Sequence, residues 1–143
     1  MTSPTITVLH VIGSGGFGGG ERYLLDLIRF SSPACRHAAA VPYAGPLSRN
    51  MDSTGYNYRI IRMPLQPSLS GLMSLWRFSR EVKADIIHSH GFRANLYGRL
   101  TALLSRKPHV STVHVSLYDY RETSPAIRRL YQLIEKWSSR FTR

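Results

Sequence analysis

Apolar positions along the chain change their spacing several times, and each change marks an element. Ile6 to Ile12 is an apolar run interrupted only by His10 and reads as a buried strand. It runs into Gly13 to Gly20, where six of eight residues are glycine, and then into a helix opening at Glu21 and ending about Phe30. Arg36 to Val41, closed by Pro42, reads as a second strand, although three consecutive alanines weaken its β character. Pro46 to Met51 fits a short helix ending near Gly55, and Tyr58 to Arg62 alternates into a third strand. After a turn at Pro67 to Gly71, Leu72, Leu75, Trp76, Ser79 and Val82 form one stripe of a helix over Leu72 to Lys83. Asp85 to Gly91 is a strand with a polar end, Phe92 to Leu104 a helix, and His109 to Val115 a fifth strand. Ser124-Pro125 opens a last helix with Ile127, Leu130, Tyr131, Ile134, Trp137 and Phe141 along one stripe.

Strands and helices that alternate with short connections predict an α/β fold: a parallel sheet with helices on both faces. No repeat or linker divides residues 1–143, so the reading is a single domain. A helix of this kind normally returns to another strand, so the pattern predicts that the domain is cut before its last strand. The last helix sets Arg128, Arg129, Lys136 and Arg140 opposite its apolar stripe; packing on the sheet is favoured over a membrane-surface role.

With 43% hydrophobic residues the chain can bury a core. One cysteine, Cys35, excludes an intrachain disulfide and fits a reducing compartment. Met1 to Thr5 has no basic start and the following apolar run is short, which argues against a signal peptide or membrane span and for a cytoplasmic protein. The net charge of +11 favours anionic partners, with peripheral attachment to the inner face of a membrane among the expectations.

Glycine permits positive φ and close approach of another group to the backbone. A strand, glycine loop and helix start also aim free N–H groups and the positive end of a helix dipole at one point, which suits phosphate or carboxylate. The competing reading is a loop that merely joins two elements. Ligands in open parallel sheets bind beyond the carboxyl ends of the strands, where strand order reverses. Three polar features end strands here: the glycine loop, His88-Ser89-His90-Gly91, and His114 with Ser116.

Other chemistries fit less well. His88 and His90 alternate onto one side of a strand and with His114 could chelate a metal, but no HExxH, cysteine cluster or Asp-x-Asp accompanies them, so no metal is expected. Ser89 lacks a nucleophile elbow, Cys35 has no histidine pairing, and no nucleic-acid motif appears among the spread basic residues. Gly13-x-Gly15-x-x-Gly18 has dinucleotide-fingerprint spacing, yet no Asp or Glu lies between Asp26 and Asp52 to hold a ribose. That counts against an NAD-linked oxidoreductase.

Four segments taken in order, Val8-Leu9-His10-Val11-Ile12, Gly18-Gly19-Gly20-Glu21-Arg22, Asp85-Ile86-Ile87-His88-Ser89-His90-Gly91 and Ser111-Thr112-Val113-His114, resemble the N-terminal half of a GT-B fold glycosyltransferase of the large retaining family four. The resemblance covers nearly the whole chain. It implies a Rossmann-like acceptor-side domain facing a second, donor-binding domain, with a nucleotide-sugar as donor, a glycan or lipid-linked acceptor, and no cofactor. By it, Gly18, Gly19 and Gly20 lie against the donor diphosphate and acceptor, His114 faces the transferred sugar, and His88, His90, Arg93, Asn95 and Ser116 line the acceptor side. Gly20 stands where the family usually has alanine, and Gly13 to Gly16 lengthen the loop. The family's paired-glutamate motif is not in this chain, so the fragment alone is expected to be inactive. A non-catalytic phosphate- or nucleotide-binding module remains the alternative. A homodimer through the exposed sheet edge or the last helix is also left open.

Overall fold

The structure, a computed structural model, describes residues 5–114 and 124–141. Five parallel strands, β1 (Ile6–Ile12), β2 (Cys35–Val41), β3 (Asn57–Ile60), β4 (Ile86–His90) and β5 (His109–Thr112), form one sheet in the order β3-β2-β1-β4-β5. The helices between and after them are α1 (Gly19–Phe30), α2 (Pro46–Thr54), α3 (Leu69–Glu81), α4 (Phe92–Ser105) and α5 (Pro125–Ser138), the last followed by a 3-10 turn, Ser139–Phe141. This is the alternation expected from the sequence.

Alternation along each strand divides the core between the two faces. Leu9, Val11, Ile87, Ala38 and Ala40 pack with Leu75, Phe78, Ala94 and Tyr97 of α3 and α4. On the other face Ile12, Ala39 and Val41 pack with Leu24, Leu47 and Met51 of α1 and α2. The alanines of β2 are all at most 2% exposed, because the strand lies between β1 and β3 with helices over both faces. Small side chains there bring the helices close to the sheet, and pairing on both edges overrides weak propensity.

Several boundaries differ from the sequence reading. The first helix opens at Gly19 rather than Glu21, so two of the loop glycines belong to its first turn. Helix α3 starts at Leu69, inside the expected turn, because the Ser68 hydroxyl accepts the Gly71 N–H at 3.3 Å and caps it. Strand β5 ends at Thr112, leaving His114 on the following segment, while Val115 lies outside the described residues. Helix α5 docks on α4 through a polar cluster: Arg99, 4% exposed, donates to Glu135 Oε1 at 2.8 Å and Ser138 Oγ at 2.7 Å. Leu130 and Trp137 on its stripe, and Leu133 beside them, stay more than half exposed. No helix among the described residues is long and apolar enough to cross a membrane.

Candidate functional site

Strand order reverses between β1 and β4: the chain moves outward from β1 to β3 on one side and from β4 to β5 on the other. Loops leaving the carboxyl ends of β1 and β4 therefore diverge and open a crevice. A cavity of about 300 Å³ fills it, lined by Gly13, Ser14, Gly19, Gly20, His90, Gly91, Arg93 and His114, with Ile12, Glu21 and Phe92 completing the wall.

The glycine loop is built rather than slack. Gly15 is buried against Tyr43, where a Cβ would strike the Tyr43 carbonyl oxygen and lie 2.9 Å from its ring, and its own carbonyl accepts the Leu47 N–H at 3.2 Å. Gly16 N–H donates to Ser14 Oγ at 3.0 Å, and Gly18 N–H to Glu21 Oε2 at 2.8 Å. A loop anchored to the start of α2 in this way holds the N-terminus of α1 in place. Gly19 presents open space to the cavity, whereas a Cβ on Gly20 would meet His114 Cδ2 at 3.2 Å.

Two helix N-termini share this crevice. Helix α1 starts after Gly18 and α4 after Gly91, which sits at φ 84°; neither N-cap glycine offers a side-chain acceptor, and at α1 the Glu21 carboxylate takes the Gly18 N–H. The first-turn N–H groups of both helices and both positive dipole ends thus face one region, with the Arg93 guanidinium beside them. Arg93 Nη1 lies 3.4 Å from the Gly13 carbonyl. Such a region suits an anion of the size of a diphosphate.

Beneath the cavity, on the α1 face of the sheet, histidines from three strands lie edge to edge. Parallel register puts His10 beside His88 and Ile12 beside His90, while Val8 pairs with His37. His37 Nδ1 lies 2.9 Å from His10 Nε2, His10 Nδ1 lies 3.1 Å from His90 Nε2, and His90 Nδ1 lies 3.4 Å from His114 Nε2. At the far end, Ser31 Oγ lies 2.6 Å from His37 Nε2. His88 stands next to this row, its Nε2 2.8 Å from Thr112 Oγ1 and its ring centroid 4.2 Å from that of His90.

Burial favours the neutral form of His10, His37, His88 and His90. Desolvation, reinforced by the His88 and His114 rings, pulls His90 down to about 3. Desolvation with the His114 charge pulls His88 down to about 4. His10 falls well below the ordinary range through desolvation and then its histidine neighbours, and His37 is lowered by desolvation alone. Ring nitrogens of His10, His88 and His90 come within 4.8 Å of one another, so the trio that could chelate is this one and not His88, His90 and His114. Both nitrogens of His10 and of His90 are already engaged with other rings.

The crevice brings together most of the residues expected there. Gly19, Gly20, His90, Arg93 and His114 line it, and Gly18 caps the helix behind it. His88 does not reach the wall; it is 8% exposed and lies under it. Asn95 does not line the crevice either. It is 1% exposed on the opposite face of the sheet, where Oδ1 accepts from the Ser89 and Ser111 hydroxyls and Nδ2 donates to Glu135. The fourth residue of α4 points under the helix, toward the sheet, and not out over the strand end. Ser116 lies outside the described residues. Motif and spacing alone do not mark His10, His37 or Glu21 as site residues. A polar residue interrupting a buried strand, as His10 does, is the signal that could have drawn attention to the row.

A parallel sheet with a glycine loop and paired helix starts at its switch point is a Rossmann-like fold, and solved structures of the GT-B fold share it. The chain resembles Anabaena Alr3699/HepE in complex with UDP, with a TM-score of 0.74 and 18% identity over 96% of this chain and 36% of that one. It also resembles Acinetobacter baumannii MurG (TM-score 0.60, 14% identity, 90% of this chain, 39% of that one). A third likeness is to S. aureus MnaA with UDP (0.58, 14%, 90% and 36%). The chain thus spans little more than a third of the length of these proteins and matches their N-terminal domain. No curated protein matches it in sequence. The model of Glycosyltransferase Family 4 matches residues 17–143, and the chain belongs to that family.

Proposed function

We propose that this chain is the acceptor-side domain of a retaining glycosyltransferase that moves a hexosyl group from a nucleotide-sugar to a saccharide or lipid-linked acceptor. One observation carries the reading: two helix N-termini, Arg93 and His114 converge on a single cavity at the switch point. The helix starts and Arg93 would hold the diphosphate and offset the charge that grows on it as the glycosidic bond breaks. His114 would orient a sugar hydroxyl, and the leaving phosphate would take the acceptor proton in a front-face attack. The reading takes no metal, since cationic charge at the phosphate comes from Arg93 and the helix dipoles. It also takes a second domain to supply the nucleoside-binding side, so the 143 residues alone would not transfer sugar. The family and the UDP complexes of HepE and MnaA support this choice over a module that only holds phosphate. The net charge of +11 suits work at an anionic inner membrane face when the acceptor is a lipid.

The test is turnover by the full-length parent on a panel of UDP-, GDP- and ADP-sugars, comparing wild type with His114→Ala and Gly19→Val. Gly19 has no neighbour within 4 Å of its Cβ position, so valine there projects into the cavity. Loss of transfer in both variants, with circular dichroism unchanged, is expected. Full activity in both variants, or no donor used by wild type, would leave the phosphate-binding module as the better reading.

A further inference from the structure

The row of rings under the cavity ends on His114, and its far end is a serine whose single proton is already committed. Ser31 Oγ donates to the Ile28 carbonyl at 2.9 Å. That carbonyl belongs to the last turn of α1, where carbonyls have no intrahelical partner, so the hydroxyl serves as its donor. A hydroxyl has one hydrogen; with that hydrogen on the Ile28 carbonyl, Ser31 Oγ accepts at 2.6 Å from His37 Nε2. His37 therefore carries its proton on Nε2 and offers Nδ1 as a lone pair.

The same accounting passes from ring to ring, because a neutral imidazole has one donor nitrogen and one acceptor nitrogen. His10 Nε2–H donates to His37 Nδ1, and His90 Nε2–H donates to His10 Nδ1. His114 Nε2–H then donates to His90 Nδ1. The nitrogen left over is His114 Nδ1, which makes no hydrogen bond among the described residues.

We propose that Ser31, His37, His10 and His90 act as a positioning row that holds His114 in its Nε2–H tautomer, leaving Nδ1 to accept a hydrogen bond from a ligand hydroxyl in the cavity. The partner at that nitrogen is then a sugar hydroxyl and not a phosphate oxygen, which could only accept. Anion binding falls to Arg93 and the helix starts, and hydroxyl recognition to His114. The tautomer assignment stands on the hydrogen bonds alone; only the identity of the hydroxyl rests on the glycosyltransferase reading.

Two-bond ¹⁵N–¹H correlation spectra of the ¹⁵N-labelled 143-residue chain at pH 8, above the ordinary histidine range near 6.5, read the protonated nitrogen of each ring directly. The expected result is the Nε2–H pattern for His37, His10, His90 and His114 alike. An Nδ1–H pattern at His90 or His114 would overturn the row. His10→Phe keeps a ring in the strand but removes both nitrogens, so His114 should shift to a mixture of tautomers; an unchanged His114 in the folded variant would also overturn it. Should that variant not fold, Ser31→Thr decides alongside the wild type. Threonine keeps the hydroxyl and must preserve the pattern, and its loss there would refute the assignment. In the full-length parent, His10→Phe should lower turnover about tenfold, the order of one hydrogen bond. Fixed tautomers in a parent that transfers no sugar would support the row while removing the glycosyltransferase reading.

Discussion

Acid should destabilise this domain well above the pH at which its carboxylates titrate. The perturbation is a fall from pH 7.5 to 5. His90, 2% exposed, is held down to about 3, whereas in the unfolded chain it takes up a proton near 6.5. Between those two values the unfolded state binds the proton and the folded state does not, so each pH unit costs about 1.4 kcal/mol. At pH 5 that is about 2 kcal/mol from His90 alone. His88 and His109, each lowered to about 4 chiefly by desolvation, act in the same window. Discounted by about half because the His88 and His109 charges repel each other and the two rings do not titrate independently, they add about 1 kcal/mol each. His10, also lowered, pushes the same way. The sign follows from depressed histidines: full stability above about 6.5, progressive loss as pH falls toward 4, and no further loss from these groups below about 3. A total of at least about 4 kcal/mol is a large share of the 5–15 kcal/mol typical of a domain. Urea unfolding followed by circular dichroism at pH 7.5, 6 and 5 measures it. A midpoint that stays constant across that range would refute the buried neutral row.

Three further outcomes follow from particular contacts. Gly15→Ala drives a methyl into the Tyr43 carbonyl and ring and should cost about 1–3 kcal/mol, while Gly19→Ala, open to solvent in the first turn of α1, should be neutral or stabilising by up to about 1 kcal/mol. Thermal melts of the pair check this, and equal melting temperatures would count against the anchored loop. Arg99→Met strands the Glu135 carboxylate beside Asn95 and should cost about 3 kcal/mol, visible as a lower urea midpoint; an unchanged midpoint would mean that the Arg99–Glu135 pair does not hold α5 on α4. Extensive dialysis against EDTA should leave both the melting temperature and the parent's transfer activity unaltered, because the His10 and His90 nitrogens are spent on hydrogen bonds; a drop restored by zinc would instead identify His10, His88 and His90 as ligands.

Local patterns made much of this protein legible in its sequence. Period changes located every strand and helix, because burial on one face or both is written into neighbouring residues. The density of glycine after Ile12 marked the loop that opens α1 at the cavity, since only residues without side chains allow close approach there. The order of the motifs pointed to the family. What required the tertiary structure was long-range pairing and helix phase. His10 meets His88 and His90 only because β1 and β4 pair in one register across some eighty residues, and a slip of one residue would turn the row to the other face. His37 joins it through the separate β1–β2 register. Asn95 looks like a strand-end polar residue in sequence, but the rotation of α4 aims it under the helix at Ser89 and Ser111. Arg99 could as easily have been a solvated charge until α5 brought Glu135 over it. Composition and spacing act between neighbours and so determine elements; which polar groups meet is decided by sheet register and helix rotation, which depend on packing of the whole chain.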